Sequence, residues 1–151
     1  MKTIHHVVDI GAPRGEVWRA ITTTAGLASW WSTVVRAPSG VDVGGVVQFT
    51  FAGDFNPQMQ IAAMDDSAVL VWRCIGGHAP WADNTFRFEL VDHDQGTRLR
   101  FWQEYATELD DDSYGSHNFN WAYSLESLRL RCVAGEGKPF QATVLSAGAA
   151  G

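Results

Sequence analysis

The sequence predicts an α+β fold: an antiparallel sheet of about six strands, one long helix across a sheet face, and two short helices after the first strand. Three observations predict it. Alternating apolar residues recur in short runs, divided by Gly, Asp, Asn and Pro. The links between most of these runs have hairpin length, which antiparallel neighbours allow and parallel ones do not. Near the C-terminus a helix carries one apolar stripe, which must be buried against a sheet.

The elements follow in order. Thr3 to Ile10 alternates, with Ile4, His6, Val8 and Ile10 on one face and Thr3, His5, Val7 and Asp9 on the other. Gly11-Ala12-Pro13 ends this strand, and Pro13 suits a helix's first turn, where its missing N–H costs nothing. PRGEVWRAIT then sets Val17, Ala20 and Ile21 at helical spacing, and Thr24 can cap a second short helix, AGLASWW. Strands follow. Val47, Phe49 and Phe51 share a face, FAGDFNPQ is a turn, and Met59, Ile61 and Ala63 alternate. AVLVWRCI, the loop GGHAPWADN, TFRFELV, the turn DHDQG and TRLRFWQEY complete the sheet. A long helix is expected from about Ser113 to Ala134, with Tyr114, Asn118, Trp121, Leu125, Leu128 and Cys132 on its apolar stripe and Gly135 as its stop. One domain is expected over 1–140, with a flexible tail over 141–151.

Composition excludes several classes of function. The net charge is −6, the opposite of the basic stripe that a nucleic-acid groove needs. No apolar run approaches the ~20 residues of a membrane span, so no membrane insertion is expected. MKTIHHVVDI lacks the apolar segment of a signal peptide, and a cytoplasmic location is expected. Cys74 and Cys132 do not make a disulfide framework and suit small buried hydrophobes. The five histidines show no metal-ligand spacing, so no metal is expected, and no cofactor motif is present. There is no GxSxG elbow, and AGEGKPF lacks the full phosphate-loop pattern.

Four segments in order resemble one family: IGAPRGEVWRAIT…LASWW, VDVGGVVQFTF, GTRLRF and NWAYSLESLRLRCVAGEGKPF. Together they resemble the START-like, SRPBCC superfamily, in the branch related to activators of the heat-shock-protein-90 ATPase. The resemblance covers Ile4 to about Phe140. It implies a helix-grip fold: a curved antiparallel sheet wrapped around the long C-terminal helix, with a cavity between them. It also implies apolar ligands such as lipids, sterols or polyketides, with a minority of enzymes and some chaperone-associated members. Asn120 stands where family members often have Gly before the helix tryptophan, and the acidic LDDDS matches no motif of the family; both are expected near the cavity mouth.

The expected ligand-binding residues are Phe49, Phe51, Trp72, Phe88, Phe101, Gln103, Tyr105, Asn118 and Trp121. Alternation puts most of them on inward faces, where an apolar residue is more often core than ligand wall. Met59, Ile61, Leu70 and Phe86 share those faces. Gln103, Tyr105 and Asn118 carry more information, because polar groups on a buried face need partners. They either satisfy one another or orient a ligand. The Trp30-Trp31 pair reads first as core, one ring plugging its base and the other covering the joint between the short helices and the sheet; the second reading is that one ring forms a pocket wall. His78 and Trp81 lie in a loop that reads as a lid or a long turn. His117, Asp83, Tyr105 and, least of all, Glu104 are the candidates for acid–base chemistry.

Three functions follow. The first is binding of a small hydrophobic molecule, lipid-like or aromatic. The second is an interaction module, as a homodimer or with a chaperone partner, for which outward-facing Trp102 beside Arg98 and Arg100 is a candidate patch. The third is an enzyme of cyclase or dehydratase type acting in the same cavity.

Overall fold

A computed structural model of the chain describes residues 2–143. Strand β1 (Thr3–Ile10) leads into helices α1 (Arg14–Thr22) and α2 (Thr24–Ala28). Six strands follow: β2 (Val34–Arg36), β3 (Val46–Thr50), β4 (Gln58–Asp65), β5 (Val69–Gly76), β6 (Thr85–His93) and β7 (Gly96–Glu104). Helix α3 (Asp111–Ala134) closes the order. The sheet runs β1-β7-β6-β5-β4-β3-β2, and every neighbouring pair is antiparallel. The expected α+β architecture is present, with seven strands rather than about six. The additional one, β2, is three residues at the sheet edge, too short for alternation to reveal.

Register explains why one sheet face is all core. Trp72 lies opposite Phe86, Phe88 opposite Phe101, and Phe86 opposite Gln103. Inward-facing residues of adjacent strands therefore form continuous rows. The pairing of β4 with β5 slips at Gln58/Met59 and again at Ile61/Ala63. Such bulges bend a strand and increase its twist.

Helix α3 begins where its sequence allows. Asp110 is the N-cap, and its carboxylate accepts from the Ser113 N–H at 2.8 Å and the Ser113 hydroxyl at 2.8 Å. Asp111 and Asp112 fill the first turn, where negative charge complements the helix dipole. The acidic LDDDS segment is thus a helix start. Gly135 ends the helix at φ +84, a left-handed conformation that costs glycine little.

The tryptophan pair divides the joint between the short helices and the sheet. Helix α2 stops at Ala28, so Trp30 and Trp31 lie in the turn beyond it. Thr23, not Thr24, caps α2 by accepting from the Gly26 N–H. The Trp30 indole is buried and donates to the Ala20 carbonyl of α1 at 2.8 Å. Trp31 turns the other way, into the rings of the sheet and of α3.

Beyond α3 the chain returns along the same joint. The Lys138 N–H donates to Ser127 Oγ, the Phe140 N–H to the Trp31 carbonyl, and the Thr33 N–H to the Phe140 carbonyl. Of the expected tail, residues 144–151 lie outside the described residues, and the Ala142 N–H donates to Thr33 Oγ1.

Candidate functional site

The space between the stripe of α3 and the sheet is filled. Trp121 meets Phe101 at 4.3 Å between ring centroids and Trp31 at 5.1 Å. Trp72 meets Phe88 at 4.8 Å and Phe49 at 5.5 Å. Open space lies to one side instead, as a cleft of about 590 Å³. One wall is a flank of α3, with Ser116, His117, Asn120 and Ser124. Facing it are Phe51 and Phe55 from the β3–β4 turn, and His78 and Trp81 from the loop after β5. Trp31 and Trp121 form the floor, and Lys138 to Phe140 close one side.

Local structure positions the facing loops. Gly77 sits at φ +83, where a Cβ would come 1.8 Å from the Asn56 carbonyl oxygen. Only glycine allows this approach. Gly77 in turn accepts from the Asn56 N–H at 2.9 Å, so the two loops that carry Phe55 and His78 are tied together. The short 3-10 turn Ala79–Trp81 then places Trp81 against the Trp121 ring at 6.2 Å.

Helix periodicity explains the fate of the predicted helix residues. At 3.6 residues per turn, 116, 117, 120, 123 and 124 fall on one flank of the buried stripe and 118 on the other. Asn118 is accordingly half-buried and outside the cleft lining, while its neighbour His117 lines it. Of the nine expected residues, Phe51 and Trp121 line the cleft. Phe49, Trp72, Phe88 and Phe101 are fully enclosed core.

Gln103 is also enclosed, and its partners are protein groups. Its amide donates to Asn84 Oδ1 at 3.0 Å and accepts from the Trp121 indole N–H at 2.8 Å. Tyr105 is buried just behind the cleft, with its hydroxyl 2.6 Å from His117 Nδ1. The polar mouth expected from the sequence is a set of mutually satisfied groups, and His117 is the one that reaches the cleft. Asn120, expected near the cavity mouth, lines the cleft; the lining residues the sequence reading did not name are Ala52, Phe55, Ser116, Tyr123, Ser124 and the Lys138–Phe140 wall. The flank rule could have found those on the helix. Nothing local to Lys138 marks its position.

Among the acid–base candidates, Asp83 is exposed and pairs with Arg73 at 2.6 Å, and Glu104 is exposed. Burial, and secondarily the nearby His78, hold His117 below the usual imidazole range. Burial likewise lowers His78 and pushes the Tyr105 phenol well above its ordinary value. His117 is therefore a neutral ring at neutral pH beside a protonated phenol, able to donate or exchange one proton at the cleft wall. Burial also pushes the Cys132 thiol up to about 11 and raises that of Cys74, which makes both poor nucleophiles. Among the described residues, no group of three or more His, Cys, Asp or Glu could hold a metal. No described helix is long and apolar enough to cross a membrane.

The two histidines give stability a pH dependence. Burial holds both below the ordinary imidazole value of 6.5. Below that value the unfolded chain binds more protons than the folded one, so stability is full above it and falls with pH. The melting temperature is expected to drop as pH is lowered from about 7 to about 5. A His78→Gln/His117→Gln double variant should flatten that slope. An unaltered slope in the variant, measured by calorimetry, would show that other groups cause it.

The family model described as "Activator of Hsp90 ATPase homolog 1-like protein" matches residues 11–131. The chain belongs to that family. This family member has a TM-score of 0.80 to the solution structure of the Aha1 dimer from Colwellia psychrerythraea, at 27% identity, covering 91% of this chain and 100% of that one. Protein SSP2350 from Staphylococcus saprophyticus gives 0.74 at 13% identity, covering 91% and 97%. CalU16 from Micromonospora echinospora gives 0.65 at 17% identity, covering 82% and 71%. The last two likenesses show the fold alone. No curated protein matches the chain.

The outward patch around Trp102 is mostly taken up within the chain. Trp102 is half-buried and stacks on His5 at 4.6 Å, Arg98 pairs with Asp9 at 2.7 Å, and Arg100 lies 3.8 Å from Glu89.

Proposed function

We propose that this chain binds a small, largely apolar molecule in the cleft between α3, the β3–β4 turn and the loop after β5. One observation carries the proposal: an open volume of about 590 Å³ walled mainly by aromatic rings. Ligand pockets usually fall at roughly 300–1,000 Å³, apolar with a few placed polar groups. Here Trp31, Trp81 and Trp121 lie near parallel, at 10–22° to one another, and offer flat apolar surface. His117, Asn120 and Ser124 supply the polar groups that would orient the guest.

Trp30, Trp31, Trp81 and Trp121 all line the cleft, so their fluorescence reports on it directly. Titration with fatty acids, sterols and aromatic polyketides is expected to give saturable quenching with at least one class. Ser124→Trp, which fills the cleft from the helix flank, should abolish it while leaving the melting temperature near that of the parent. Absence of saturation across the panel would refute the proposal.

Self-association is a second reading, favoured by a specific observation. The Colwellia neighbour is described as a dimer, and in this chain Phe119 and Tyr123 stand 73% and 56% exposed, one turn apart on α3. The same surface is where a chaperone partner, which the family description raises, would be sought. Light scattering after size-exclusion chromatography should give twice the monomer mass, and Phe119→Ser should halve it. A monomer at all concentrations would discard the dimer.

A further inference from the structure

We infer that the cleft's ligand is an anion, an apolar body carrying a carboxylate, sulfonate or comparable acid group. This rests on the binding proposal above and narrows its ligand class. The chain has net charge −6, with 17 acidic residues, yet among the described residues no Asp or Glu lines the cleft. His78, His117 and Lys138 line it instead. In an acidic protein, an apolar cleft that offers one lysine ammonium and two imidazole rings able to donate a hydrogen bond, and no carboxylate, is complementary to negative charge.

The hydrogen bonds around His117 sharpen this. The Trp81 indole N–H can only donate, and it points to His117 Nδ1 at 3.4 Å. The Tyr105 hydroxyl lies 2.6 Å from the same nitrogen. Nδ1 therefore holds a lone pair, and the ring proton sits on Nε2, as assigned from these partners. Nε2–H is the remaining polar group of a residue on the cleft wall, and among the described residues it has no protein acceptor. Nδ1 of His78, whose ring centre lies 6.1 Å from that of His117, is buried without a hydrogen bond of normal geometry. An acid oxygen entering between the rings would accept from an imidazole N–H, with Lys138 adding charge at the rim.

The charged groups facing these rings from neighbouring elements fit the same picture. Asp54 acts on His78 first through its backbone and then by charge, and Asp110 acts on His117 by charge; both are exposed and neither lines the cleft. Each raises its histidine's tendency to hold a proton without occupying the space an anion would use. The body of the ligand would lie against Phe51, Phe55 and Trp121.

Two fluorescent probes that differ by one group provide the test. 1-Anilinonaphthalene-8-sulfonate carries a sulfonate, and N-phenyl-1-naphthylamine is the same ring system without it. The sulfonate is expected to bind at least about tenfold tighter, the difference a charge-assisted contact supplies. Lys138→Met, at an exposed position, and His117→Gln should each weaken the sulfonate by several-fold more than they weaken the neutral probe. Ser124→Trp should block both. Equal affinity for the two probes would overturn the anion inference and leave the cleft-binding proposal standing. A preference for the sulfonate that survives Lys138→Met and His117→Gln would place the charge elsewhere and also overturn it. If neither probe binds the parent protein, the cleft-binding proposal fails, and the inference falls with it.

Discussion

Replacing Trp31 by alanine is expected to destabilise the fold by about 3–5 kcal/mol, the range for truncating a buried aromatic side chain. Trp31 is 5% exposed and makes ring contacts with Trp30, Phe49, Phe51, Trp72, Trp81 and Trp121. Those partners come from β3, β5, α3 and the loops after α2, β3 and β5. They cannot all collapse inward, because Phe49 and Trp72 are held by strand pairing and Trp121 by α3. The vacated volume therefore persists as a cavity, and the cavity adds to the lost transfer energy. For a domain of this size each kcal/mol shifts the melting temperature by about 2–4 °C, so a fall on the order of 10 °C is expected. Trp31→Phe should recover part of it. An unchanged melting temperature for Trp31→Ala would mean that the ring junction is looser than its distances indicate.

Gln103→Leu is expected to cost about 3 kcal/mol, although leucine is apolar and of similar length. The substitution leaves two buried polar groups without partners, the Trp121 indole N–H and Asn84 Oδ1. Each orphaned group costs about 1–3 kcal/mol in an enclosed site. Leucine regains some of this through burial, which keeps the total nearer the middle of the range. The comparison that isolates the effect is a double-mutant cycle with Trp121→Phe, which removes the indole donor while keeping a ring. If the network is real, Gln103→Leu should cost less in the Trp121→Phe background than in the parent. Additive losses would show that the Gln103–Trp121 bond contributes nothing by itself.

These two residues also show how far local pattern reaches. Alternation put Gln103 on the inward face beside Phe101 and Tyr105, and the structure has it there. It left open whether such a group meets protein or ligand. The answer depends on β6 bringing Phe86 opposite Gln103 and on α3 laying Trp121 over both. Those are contacts between residues 18 and 19 apart in sequence, made by different elements. No window of sequence contains them.

The helix illustrates the same division. Its stripe of Trp121, Leu125 and Leu128 was readable from spacing, and all three are buried. Asn118 belongs to that spacing too, yet it sits on the flank away from the cleft. Periodicity identifies which side of a helix is buried, but not which flank borders an opening. That depends on where the neighbouring loops stand, and here Gly77 and Asn56 decide it. The LDDDS segment is the reverse case. It matched no family motif, but its chemistry is local, a carboxylate cap followed by first-turn acids.

By itself the sequence determined the α+β class, the inward faces of the strands, the stripe of α3 and the stop at Gly135, because each depends on residues close along the chain. The tertiary structure alone decided that the rings fill the space between helix and sheet, and that the open cleft lies beside it. It alone gathered His78, His117 and Lys138 around one cleft, with no Asp or Glu among the described residues that line it. Packing and charge are properties of neighbours in space, and these neighbours come from segments that only the closed fold brings together.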